Sequence, residues 1–125
     1  MSKPRKRRLL VIDDDASLRT LFRRMLSREG FDVDLASDGD AGLAYIRDSD
    51  YDVIILDLMM TGVSGFDVLD QLMQDRPSLL QRVVVASAAS VRTLQQFDAG
   101  KVHALVRKPF DMDEFLAVVR GCANQ

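Results

Sequence analysis

Short apolar runs alternate along this chain with longer segments in which apolar residues recur every three or four positions. LLVI (9–12) and VIIL (53–56) are continuous apolar runs of strand length, as is VVVA (83–86). FDVDLA (31–36) alternates as a strand near a sheet edge does, and VHALV (102–106) supplies a fifth strand. Between them lie five helical segments. Leu18, Leu21, Phe22, Met25 and Leu26 mark the first, which stops at Gly30, and residues 38–48 form a second around Leu43, Tyr45 and Ile46. Ser64 caps a third that holds Phe66, Leu69, Leu72 and Met73 and is closed by Pro77. A short fourth helix runs from about Ser90 to near Gly100. Asp111 and Glu114 read as a capping box for the last, with Phe115, Val118, Val119 and Cys122 on its inner face.

Five strands alternating with five helices, three of the strands lacking polar alternation, predict a parallel sheet covered on both faces. The expected fold is α/β, a flavodoxin-like doubly wound (βα)5 unit with a five-stranded parallel sheet in the order 2-1-3-4-5. In such sheets the ligand crevice opens beyond the carboxyl ends of the strands, between the first and third. Asp13 and Asp14 follow strand one and Asp57 follows strand three, so this fold gathers three carboxylates. Carboxylates that close oppose one another's ionisation unless they share a cation. Oxygen-only ligands suit a hard cation, and Mg²⁺ is favoured because it uses one or two carboxylates, keeps waters and bridges to phosphate. A plainer role is also open: Asp15 caps the first helix and its neighbours decorate that turn.

The 125 residues suit one domain, and 47% apolar with 29% charged content is ordinary for a globular chain. A net charge of −2 argues against nucleic-acid binding. The basic stretch KPRKRR (3–8) is expected to be part of a solvated tail over residues 1–8, ahead of a domain over 9–123. Cys122 has no internal disulfide partner, and no apolar run approaches the roughly 20 residues that span a bilayer. A cytoplasmic location without membrane insertion is expected.

VIDDD, LDLMMTGVSGFDVL, VVVASA and VRKPFD together resemble the receiver domain of bacterial two-component response regulators. The resemblance implies Asp57 as the phosphoacceptor, Asp13 and Asp14 as Mg²⁺ ligands with Asp57, and Met59 offering its backbone carbonyl to the metal. Ser87 and Lys108 complete the implied set. It also implies a cis peptide bond before Pro109, a sensor histidine kinase or phosphotransfer protein as phosphodonor, and a downstream partner on the face of the fourth helix, fifth strand and fifth helix. On this view the domain assists its own modification without being a turnover enzyme. The absence of a second domain after the last helix favours a stand-alone receiver.

Three departures stand out. Thr61 replaces the usual proline, Leu105 replaces the usual switch aromatic with only His103 nearby, and Met59 and Ala89 offer no group to orient an attacking water, which implies slow self-dephosphorylation. Two rivals use the same residues. LLVIDDDAS also resembles the first motif of haloacid-dehalogenase-type phosphatases, with Asp13 as nucleophile, Asp15 as acid/base, and Ser87, Lys108, Asp111 and Asp113 as later motifs. The chain is short for such an enzyme, and Asp57 is then unexplained. A pseudo-receiver that binds partners without phosphorylation is the other, favoured by Thr61 and Leu105 but not by the intact acidic set.

Overall fold

The computed structural model describes residues 6–60, 62–88, 91–95 and 99–125. The elements run β1 (Arg8–Ile12), α1 (Ala16–Arg28), β2 (Asp32–Ala36), α2 (Gly39–Asp48), β3 (Val53–Leu56), α3 (Gly65–Asp75), β4 (Val83–Ser87), α4 (Val91–Gln95), β5 (Ala104–Arg107) and α5 (Met112–Ala123). All strand pairs are parallel and the order is β2-β1-β3-β4-β5. The doubly wound order expected from the sequence is therefore the observed one. Thr61 and Ala89, the departures noted above, lie outside the described residues, as do residues 1–5 of the basic tail.

The alternation of side chains along each strand divides the core in two. Leu10, Ile12, Ile54, Leu56, Val83 and Val85 pack against Ile46 of α2 and Val68, Leu69 and Leu72 of α3. Leu9, Val11, Val53, Ile55, Val84 and Ala86 face the other way, onto Phe22 and Leu26 of α1 and Phe115, Val119 and Cys122 of α5. β1, β3 and β4 are buried on both sides, which is why they read as unbroken apolar runs.

Helix starts follow capping chemistry. Asp15, Asp38, Ser64 and Asp111 each accept a backbone N–H from the first turn of their helices, and Ser64 forms a full capping box with Asp67. After α3, Pro77 begins a 3₁₀ turn, Pro77–Arg82, that buries Leu79 and Leu80 before β4. Strand β5 begins at Ala104, two residues later than the apolar run: Val102 is buried below the strand, and the His103 N–H bonds the Val83 carbonyl at 3.0 Å.

Three apolar residues at helical spacing are half-exposed: Leu21, Tyr45 and Met73. For α2 the reason is close approach. Gly39 and Gly42 face inward, where a Cβ on Gly42 would collide with Ile12 and one on Gly39 with Val63, so the helix lies too near the sheet for Tyr45 to turn under it.

Candidate functional site

The ladder hydrogen bonds continue one residue beyond the strand ends. Asp57 N–H donates to the Ile12 carbonyl at 3.0 Å, and Asp13 N–H donates to the Ala36 carbonyl at 3.1 Å. With Ile12 paired to Leu56, the register sets Asp13 and Asp57 side by side at the carboxyl edge. One carboxylate oxygen from each of Asp13, Asp14 and Asp57 lies within 4.8 Å of the others. Asp13 and Asp57 are buried, whereas Asp14 is exposed and leaves the cluster open on one side.

Lys108 reaches this cluster from the far side of the sheet. Its backbone N–H bonds the Ser87 carbonyl at 2.8 Å, extending the β4–β5 ladder, and its side chain crosses toward β3 and β1. The ammonium lies 2.9 Å from Asp13 Oδ2 and 3.6 Å from Asp57 Oδ2. Ser87, fully buried, ends the intervening strand. The Lys108–Pro109 bond is cis, and Phe110 beyond it stacks on Phe115 of α5 at 4.6 Å between ring centroids.

Burial pushes the Asp57 carboxyl above its ordinary pKa of 3.8, and the charges of Asp13 and Asp14 push the same way. The Met59 N–H, which donates to Asp57 Oδ1 at 3.1 Å, and Lys108 oppose that rise. The Lys108 ammonium meets Asp13 and Asp57, and a divalent cation would add positive charge where the three carboxylates converge. All the donors are carboxylate oxygens, so the residues present fit Mg²⁺.

Each sequence-predicted residue is therefore found at this edge: Asp13, Asp14, Asp57 and Lys108 meet directly, Ser87 ends β4 beside them, and Met59 contributes its N–H to Asp57 while its side chain is 56% exposed. Asp15 does not join them. Its Oδ1 caps α1 through the Leu18 N–H at 3.1 Å. Two contributors escaped the motif reading. Arg19, one turn into α1, donates to the Asp13 carbonyl at 2.8 Å and fixes the acidic turn. Gly65, at the start of α3, lies where a Cβ would collide with the Asp57 carbonyl oxygen. Its position after the Ser64 cap was the available signal, because a helix starting there must fold back on strand three.

Over residues 9–120 the chain matches the family described as the response regulator receiver domain. It is 32% identical over 118 residues to the transcriptional regulatory protein TcrA of Mycobacterium tuberculosis, covering 94% of this chain and 46% of TcrA. To the transcriptional regulatory protein ResD of Bacillus subtilis it is 33% identical over 121 residues, covering 97% of this chain and 50% of ResD. The chain thus spans about half the length of the curated relatives it matches. A response regulator receiver domain protein (CheY-like) from Methanospirillum hungatei shares the fold at a TM-score of 0.86, with 20% identity over 96% of this chain and 95% of that one. The response regulator TrrA of Thermotoga maritima, solved in complex with Mg²⁺–BeF, matches at a TM-score of 0.82 with 28% identity over 93% of this chain and 98% of its own. The chain belongs to the response regulator receiver domain family of two-component systems.

Proposed function

We propose that Asp57 accepts a phosphoryl group in a Mg²⁺-dependent reaction and that the modification switches contacts with partner proteins. The observation that carries this reading is the edge cluster, in which one carboxylate oxygen from each of Asp13, Asp14 and Asp57 lies within 4.8 Å of the others and Lys108 reaches Asp13 and Asp57. Asp13, Asp14, Asp57 and the Met59 carbonyl would hold Mg²⁺, which would supply charge neutralisation for the phosphoryl oxygens.

The chain's own residues do the rest. Asp57 attacks phosphorus in line, and a phosphohistidine donor loses its P–N bond as the imidazole departs with the electron pair. A carboxylate is a weak nucleophile, so the reaction depends on positioning and on neutralised charge. The Met59 N–H holds one Asp57 oxygen in place, and Lys108 stands near the other, ready to pair with the incoming group. Ser87 donates its hydroxyl to a phosphoryl oxygen, which draws in the loop after β4 and biases a two-state element. The phosphoryl group stays on the chain, so the domain is a self-modifying switch and not a turnover enzyme. Its donor is a sensor histidine kinase or phosphotransfer protein, and its output partner binds the face of α4, β5 and α5.

Incubation with acetyl phosphate and Mg²⁺ adds one phosphoryl group by intact mass, and Asp57→Asn abolishes it. Normal modification of Asp57→Asn with loss in Asp13→Asn would transfer the nucleophile to Asp13 and defeat the reading. The product persists, since Met59 cannot orient a water; the pair Met59→Asn, Ala89→Glu shortens its half-life, and an unchanged decay curve removes these side chains from control of the signal.

A further inference from the structure

At the amino end of the sheet, on the edge opposite the carboxylate cluster, an open cavity of about 320 Å³ lies between the α2–β3 loop and the 3₁₀ turn that follows α3. Asp50, Tyr51 and Asp52 line it from the loop, and Arg76, Ser78 and Arg82 line it from the end of α3 and the turn. No motif in the sequence accounts for two arginines meeting here.

Both guanidiniums are held in place but poorly matched. Arg76 Nη1 donates to the Ile46 carbonyl at 3.0 Å, and Arg82 Nη1 reaches the Tyr51 carbonyl at 3.5 Å. Their carboxylate contacts are long: Arg76 to Asp50 and Arg82 to Asp52 each measure 3.5 Å, against 3.0 Å for Arg8–Asp34 and 2.7 Å for Arg120–Glu29. A full-strength bond from a guanidinium to a carboxylate spans about 2.7–2.9 Å, so neither fork is spent on its aspartate. The Asp50 side chain is 88% exposed, where a single ion pair is worth little and exchanges readily with water. The Ser78 hydroxyl has no hydrogen-bond partner among the described residues. The cavity therefore faces more donors than the fold uses.

We propose that this cavity binds a small organic oxyanion, a carboxylate or a phosphate monoester, with Arg76 and Arg82 as charged donors and the Ser78 hydroxyl as a third. A guanidinium fork matches two oxygens of either group. The ligand's oxyanion replaces Asp50 at Arg76, and Asp50 turns into solvent. Asp52 stays, because its carboxylate is buried and accepts the Arg8 N–H at 2.8 Å, and a like charge so close opposes a second oxyanion in the same cavity. The volume is near the lower end for small-molecule sites, which suits a body of a few carbons and not a nucleotide. The cavity shares no residue with the carboxylate cluster and does not depend on Asp57 being the phosphoacceptor.

The test titrates butyrate or glycerol phosphate into the isotopically labelled, metal-free full chain and follows amide chemical shifts, with butyramide and glycerol as neutral controls. The oxyanions shift residues 50–52 and 78–82 to saturation and bind more weakly as salt rises, and the neutral compounds do not bind. Saturation by one oxyanion alone identifies carboxylate or phosphate as the group the site takes. Arg76→Gln lowers affinity roughly tenfold. That variant also loses the bond to the Ile46 carbonyl, so Asp50→Asn supplies a second reading of opposite sign. Removing the competing carboxylate at this exposed position raises affinity roughly twofold to fivefold at an unchanged melting temperature. Absence of saturable shifts with both oxyanions, an equal response to the neutral compounds, shifts centred elsewhere, or no gain in Asp50→Asn overturns the proposal.

Discussion

Asp52 at the amino end of the sheet and Asp57 at its carboxyl end are 5% and 6% exposed, but their surroundings differ. Asp52 accepts the Arg8 N–H at 2.8 Å and lies 3.5 Å from the Arg82 guanidinium. Beside it, Asp34 accepts the Tyr51 hydroxyl at 2.5 Å and pairs with Arg8 at 3.0 Å, while the Arg8 guanidinium lies over the Tyr51 ring. Burial, followed by the hydrogen bond to Asp34, holds the Tyr51 hydroxyl protonated well above the usual phenol range. At the carboxyl end, Asp13 and Asp57 share Lys108, with Asp14 beside them. The same residue type is thus buried twice, once beside the Arg82 guanidinium and once among other carboxylates. Carboxylates grouped together oppose one another's ionisation, so the carboxyl-end cluster gains by acquiring a cation.

The contrast is largest in phosphoryl transfer. Asp57→Asn should eliminate uptake from acetyl phosphate, whereas Asp52→Asn, which keeps an acceptor for the Arg8 N–H, should retain it; loss of uptake in both, by intact mass, would mean that both ends serve the chemistry. Next comes the response to metal. At about 100 times its dissociation constant, Mg²⁺ should stabilise the wild type by about 2.7 kcal/mol, and the double variant Asp13→Asn, Asp14→Asn should lose that gain in thermal unfolding. Equal stabilisation of both proteins would remove the carboxyl edge as the metal site.

Asp52→Ala should cost about 2 kcal/mol in denaturant unfolding, because it strands a buried backbone donor. The half-exposed Arg82 adds little to that figure. Asp14→Asn should act in the opposite sense on metal-free protein and raise its melting temperature, since it removes repulsion. A loss of stability in both variants would erase the distinction between the ends.

The smallest effect is on pH dependence. The folded-state pKa of Asp57 lies above the unfolded value of 3.8, so the native state holds its proton more tightly. Its stability contribution is complete below 3.8 and is lost as pH rises through the raised folded value. Metal-free melting temperatures should therefore fall more over that interval in the wild type than in Asp57→Asn. Parallel curves would show that burial of Asp57 has no such consequence.

Much of the fold was legible because strand and helix periods are local. β1, β3 and β4 appeared as apolar runs, and Asp15, Ser64 and Asp111 marked helix starts through bonds within one turn. Which of the periodic helix residues face out is decided by packing between segments. Periodicity places Tyr45 near the apolar stripe of α2, but the distance between helix and sheet is set by Gly39 and Gly42, and that distance left Tyr45 outside. Likewise, Leu21 shares a spacing with Phe22 and Met25, and only the tilt of α1 on the sheet decides which residue faces out.

The alternation of strands and helices, the doubly wound class, and the placement of Asp13, Asp14 and Asp57 at strand ends were readable from the amino-acid order alone, because each follows from the period of apolar residues along short segments. Tertiary structure decided the pairings. Lys108 lies nearer to Asp13, 95 positions away, than to Asp57, and Arg8, Asp34, Tyr51, Asp52 and Arg82 come together from separate segments. Such contacts depend on strand register and on how far each side chain reaches across a neighbouring strand. Neither quantity has a signature in local spacing, and both become fixed only when the sheet assembles.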